Sequence, residues 1–104
     1  MLLQEGAAND ALSQLFSEIP AEPDEERELT APIDLNAVLP AGSASAQYDG
    51  SLTTPPCTEG VRWNVFLTPA TVSAAQLAAF TAVYPDNNRP VQGLHGREVA
   101  KVTE

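Results

Sequence analysis

Apolar and polar residues alternate with period two over residues 61–67. Val61, Trp63, Val65 and Leu67 fall on one face, and Arg62, Asn64 and Phe66 on the other. This pattern predicts a strand, with Phe66 indicating some cover on the second face. A helical period governs residues 6–19, where Ala8, Leu12, Leu15, Phe16 and Ile19 share one face and Pro20 ends the pattern. A second helix is predicted over 73–84. Ser73 followed by Gln76 makes a capping box, the alanine-rich run has high helix propensity, and Gln76, Leu77, Phe80 and Tyr84 form its contact side before Pro85 stops it.

Between these segments the pattern is weaker. PAEPDEERELTAP, residues 20–32, combines three prolines with an acidic cluster and reads as a solvated connector. Residues 33–39 suit a short helical turn capped by Asp34. Pro40 and small residues follow as a loop. Residues 47–52 read as a short strand, and a last strand is placed near 97–102. TTPPCTEG lies outside regular structure, because its paired prolines lack backbone donors and fix φ. Gly60 closes that loop. The expected class is α+β, in a single domain of 104 residues.

Composition narrows the function classes. The net charge is −9, and the five bases (Arg27, Arg62, Arg89, Arg97 and Lys101) are scattered, which argues against a nucleic-acid partner. No apolar run approaches the roughly 18 residues needed to span a bilayer. MLLQEGAAND has no basic leader and reads as no signal peptide. Cys57 is the single cysteine, so no disulfide forms within the chain.

Candidate chemistry is sparse. Zinc sites draw three or four ligands from Cys, His, Asp and Glu. Here one histidine, His95, lies 38 residues from Cys57, with no HxH, HExxH or CxxC, so no metal site is assigned. A Cys57/His95 dyad lacks any sign of an activated thiol. Ser51 sits in DGSLT, not in a GxSxG elbow. The distinctive segment is YDGSLTTPPCTEGVRWNVFL, residues 48–67. Its stiff, hydroxyl-rich loop followed by an apolar strand face suits either the orientation of a small polar ligand or a plain connection between two strands.

At these residues the chain resembles the α-class carbonic anhydrases. YDGSLTTPPCTEGVRW is similar to their signature loop, and the likeness runs on through Pro69, Val72, Ser73 and Gln76 to NNRPVQGLHGREV. EGAAND and the helix after it match more loosely the segment that follows the family's third zinc histidine. The Pro-Pro-Cys-Thr-Glu-Gly spelling looks like the bacterial or secreted branch, which implies a periplasmic or secreted protein. The resemblance implies the C-terminal part of a mostly antiparallel twisted sheet with two peripheral helices. It also implies the activity of a zinc lyase, the reversible hydration of carbon dioxide to bicarbonate.

Carried over residue by residue, Thr53 matches the gatekeeper threonine. Its hydroxyl aims the attacking hydroxide at carbon dioxide, and its N–H holds an oxygen of bicarbonate or of an inhibitor. Thr54 shapes the bicarbonate pocket. Leu52, Val61 and Trp63 match the apolar wall that receives carbon dioxide. Cys57 matches a cysteine whose disulfide partner lies near the family's N-terminus, and Asn88 and Arg89 match scaffold positions. The departures are equally specific. The three zinc histidines, the gatekeeping glutamate, the proton-shuttle histidine and the first cysteine belong to family segments preceding those matched here. Zinc is therefore expected in the full-length family with its ligands absent from this chain, and the missing N-terminal half is an expected partner. The rival expectation is a non-enzymatic binding or scaffold fragment. Gly93 and His95 depart from the closing motif.

Overall fold

The computed structural model describes residues 1–103. Its elements are β1 (Leu3–Glu5), a 3-10 turn (Asp10–Leu12), α1 (Ser13–Ser17), α2 (Leu35–Val38), β2 (Ser45–Ser51), β3 (Glu59–Phe66), β4 (Ala70–Val72), α3 (Ala74–Thr81) and β5 (Ala100–Val102). They group into two compact units. One contains Met1–Leu2, Pro40–Thr68 and the chain from Asn88 onward, and the other Leu3–Leu39 with Pro69–Asn87.

The first unit is built on an antiparallel sheet of order β3-β2-β5. Along β3 the expected alternation holds: Val61, Trp63 and Val65 are half-buried while Arg62 and Asn64 are exposed. Tyr48 lies opposite Trp63, and Asp49 opposite Arg62. The exposed Arg62–Asp49 ion pair spans 3.0 Å, a geometry worth about 0.2–1 kcal/mol at such a surface. Gly50 pairs with Val61 but Ser51 pairs with Glu59, so Gly60 is the extra residue of a β-bulge. Its φ of +88° suits glycine and re-aims the chain just where the signature loop returns to the sheet. β2 begins two residues earlier than expected, because Ser45 and Ala46 also pair with β5. β5 is shorter than expected: Arg97 is held in a turn, its N–H donating to Leu94 O at 3.0 Å.

In the second unit, β1 and β4 pair in parallel, Leu3 with Ala70 and Glu5 with Val72. The sequence reading missed both strands, since three residues are too few to show a period. The pairing also explains why the first helix is shorter than its apolar period. Gly6 N–H donates to Val72 O (2.8 Å) and continues the ladder. Asn9 then caps the 3-10 turn, its Oδ1 accepting from Leu12 N–H at 3.1 Å.

α3 has the predicted capping box. Ser73 Oγ accepts from Gln76 N–H (3.1 Å) and Gln76 Oε1 accepts from Ser73 N–H (3.0 Å). Gln76 also clasps Asn9. Its Oε1 accepts from Asn9 N–H (2.8 Å) and its Nε2 donates to Asn9 O (2.9 Å). Asn9 Nδ2 donates in turn to Thr71 O (2.9 Å). Two helix starts and a strand are thus tied by two amide side chains. The Asp34 cap also forms as expected, accepting from Asn36 N–H at 3.0 Å.

The acidic connector has no regular structure, yet it is tethered. Thr30 donates to Glu18 through its hydroxyl and its N–H, and Gln14 Nε2 donates both to Glu18 (3.1 Å) and to Ala31 O (2.7 Å). The Thr30 hydroxyl, followed by Gln14, the Thr30 amide and the nearby Arg27, outweighs desolvation and holds the Glu18 carboxyl below the ordinary glutamate value. Its tether is therefore complete above the ordinary glutamate pKa and is lost as pH falls through the lowered one. The protection of the Thr30 amide, its exchange rate relative to that of an unstructured chain at the same pH, should fall over that acidic window. Glu18→Gln should abolish the pH dependence, and an unchanged profile in that variant would show the tether to be governed elsewhere.

Candidate active site

The site grows from the end of β2 and the loop that joins it to β3. Tyr48 and Trp63, side by side across the sheet, stack with ring centroids 6.5 Å apart at 12°. Gly50 makes room for them: a Cβ there would lie 2.7 Å from Trp63 Cδ1 and 3.2 Å from Tyr48 Cε2. With the indole in place, Trp63 Nε1 donates to Ser51 O at 3.0 Å.

Ser51 is the hub. Its Oγ accepts from Arg89 Nη1 (2.8 Å) and donates to Leu52 O (3.0 Å). The loop beyond is pinched at two levels. Leu52 N–H donates to Thr58 O (2.9 Å), and Cys57 N–H donates to Thr54 O (2.8 Å) around the cis Pro55–Pro56 bond. Thr53 therefore sits between the two pinches and Thr54 opens the tighter one, so both belong to a stiffened turn. Arg97 holds the facing segment, its guanidinium donating to Asp49 O, Gly93 O and Leu94 O at 2.8–2.9 Å.

A cavity of about 340 Å³ opens here, lined among others by Tyr48, Ser51, Thr53, Trp63, Arg89 and Leu94. Of the residues the sequence singled out, Thr53 and Trp63 meet in this cavity. Val61 shares the strand face of Trp63 but not its cavity, and Leu52 and Thr54 do not line it either. Leu52 is 47% exposed. Cys57 is a free, half-buried thiol with a φ of +56°. Sequence reasoning missed Ser51 and Arg89 as partners. No period or spacing links residues 38 positions apart, and only the family motif contains both. The two departures from that motif, Gly93 and His95, lie together: a Cβ on Gly93 would meet His95 Nε2 at 3.2 Å. The small residue leaves space for the ring.

Zinc does not fit the residues present. Among the described residues no three His, Cys, Asp or Glu side chains converge to hold a metal ion. No helix among them is long and apolar enough to cross a membrane.

The comparisons with known proteins agree on one family. The profile of the eukaryotic-type carbonic anhydrases matches residues 1–103. A carbonic anhydrase of Pectobacterium carotovorum is 44% identical over 98 residues, covering 93% of this chain and 40% of its own length. The solved α-carbonic anhydrase of Thermovibrio ammonificans, in complex with the inhibitor sulfanilamide, superposes with a TM-score of 0.87 at 46% identity, over 93% of this chain and 43% of that one. Dioscorin complexed with ascorbate superposes with a TM-score of 0.83 at 33% identity, over all of this chain and 46% of that one. The α+β architecture, a mostly antiparallel sheet with a few helices, is thus that of the α-carbonic anhydrase fold. The chain belongs to the eukaryotic-type carbonic anhydrase family. It spans about two fifths of the length of the curated relatives it matches.

Proposed function

We propose that this chain is the C-terminal portion of an α-carbonic anhydrase domain and supplies the substrate-facing turn of its site, while the zinc ligands come from a portion outside these residues. The observation carrying this reading is that Thr53 on the loop and Trp63 on the strand after it, a hydroxyl and an indole, line one cavity.

Carbon dioxide is small and without a dipole, so an apolar wall receives it with little desolvation penalty. Trp63 serves as that wall, and in the completed domain Val61 on the same strand face and Leu52 at the loop entrance, both outside the cavity of this chain alone, extend it. Bicarbonate needs donors. The Thr53 N–H meets one of its oxygens, and Thr54, outside the cavity that this chain forms by itself, bounds the pocket once the domain is complete. The Thr53 hydroxyl, which both donates and accepts, orients the nucleophile. Cys57 is left for a disulfide with a cysteine of the N-terminal portion. The family's zinc dependence and lyase chemistry belong to the assembled domain, and a periplasmic or secreted location is part of the same reading, in keeping with the bacterial spelling of the Pro-Pro-Cys-Thr-Glu-Gly loop.

On this reading the 104-residue chain alone is inactive. Equilibrium dialysis should detect no stoichiometric zinc at sub-micromolar concentrations, and stopped-flow assays should find no hydration above the buffer rate. One tightly held zinc per chain together with hydration would overturn the reading. A second reading, a non-enzymatic binding module, is supported by the likeness to dioscorin complexed with ascorbate. It would prevail if this chain, substituted for the matching part of the Pectobacterium carotovorum protein, gave a folded chimera without activity.

A further inference from the structure

We propose that Arg89 is a positioning residue for the Thr53 amide, acting through Ser51. The inference deepens the functional reading above and rests on it only for its catalytic consequence. Arg89 Nη1 donates to Ser51 Oγ (2.8 Å), and the same oxygen donates to Leu52 O (3.0 Å). The Leu52 carbonyl and the Thr53 N–H belong to one peptide unit. That unit is planar, and in its usual trans form the two groups point in opposite directions. Fixing the carbonyl therefore fixes the direction of the N–H.

The charge matters as well as the geometry. A guanidinium bound to the serine oxygen makes its hydroxyl a stronger donor, and a carbonyl that accepts a stronger bond leaves its own amide N–H more positive. The next peptide back is held too, because Trp63 Nε1 donates to Ser51 O at 3.0 Å. The two peptide units leading into Thr53 thus have their carbonyls engaged, one by the cavity's indole and the other by the arginine relay. Arg97 does not duplicate the relay, since its guanidinium donates to the carbonyls of Asp49, Gly93 and Leu94.

The test reads the Thr53 amide directly. The ¹⁵N-labelled chain is studied joined behind the complementary portion of the Pectobacterium carotovorum protein. The variants are Arg89→Ala, Arg89→Lys, Ser51→Ala and the Arg89→Ala/Ser51→Ala double. Native cross-peak positions do not depend on the folded fraction in slow exchange, so general destabilisation does not mimic the effect. The Thr53 amide should shift in the same direction in Arg89→Ala and Ser51→Ala. The double variant should add nothing further, and lysine, which keeps the charge, should restore part of the shift. In the joined protein, loss of one oriented donor should weaken bicarbonate binding by about tenfold. A Thr53 peak unmoved by Ser51→Ala, or Arg89 and Ser51 shifts that simply add, would overturn the relay. If the relay is present but the joined protein never hydrates carbon dioxide, the positioning stands and the carbonic anhydrase reading falls.

Discussion

In the protein completed by the Pectobacterium carotovorum portion, Thr53→Ala lowers the hydration rate constant by about 10- to 100-fold, the usual cost of losing a group that orients a reacting partner through a hydrogen bond. The effect falls mainly on kcat. The peptide N–H of residue 53 survives the substitution, so binding of bicarbonate is largely kept, whereas the orienting hydroxyl is gone. Thr53→Ser keeps a hydroxyl on the same stiffened turn and should retain most of the rate. Cys57→Ser, also on the loop but outside the cavity lining, should leave kcat near the unsubstituted value under reducing conditions. Stopped-flow hydration across these three variants checks the pattern. Equal rates in Thr53→Ala and the unsubstituted protein would remove Thr53 from the chemistry.

The second large effect concerns folding of the 104 residues by themselves. Leu12 is buried at 8% exposure, but every other leucine is at least 41% exposed. Val72 joins Leu12 as the buried apolar core among the described residues. A leucine side chain contributes roughly 1.5–3 kcal/mol when fully withdrawn from water, so about half of that stabilisation is unrealised here. In the second unit an apolar hollow of about 500 Å³, lined by residues such as Leu15, Phe16, Leu77 and Phe80, lies open. The chain alone should bind ANS strongly and lose its signal gradually on heating. The joined protein should bind little dye and unfold in one steep step. A sharp, dye-free transition for the isolated chain would show that it is a self-sufficient domain.

How much of this was legible in the sequence depends on the length of each pattern. β3 was readable because four alternating apolar positions outlast chance, and α3 because Ser73 and Gln76 announce its start. β1 and β4 were not, being three residues each with Gln4, Glu5 and Thr71 among them. The first helix was over-extended because the period of Ala8 and Leu12 says nothing of the backbone bond from Gly6 to Val72 O or of the Asn9–Gln76 clasp. Those are tertiary demands that override a local apolar stripe. At the site, the stiffness of TTPPCTEG and the apolar face of Trp63 followed from residue types. The hub at Ser51 did not, because its partners lie 12 and 38 positions away. The pairing of Gly93 with His95 was likewise invisible until the ring was placed.

The most direct measurement compares carbon dioxide hydration by three samples: this chain, the complementary Pectobacterium carotovorum portion, and the two joined. If the Thr53 turn and the Trp63 wall are one half of the site and the metal-holding groups the other, turnover and a bound zinc appear only in the joined protein. Hydration by the 104 residues alone, or a well-folded joined protein that turns over nothing, would contradict that division.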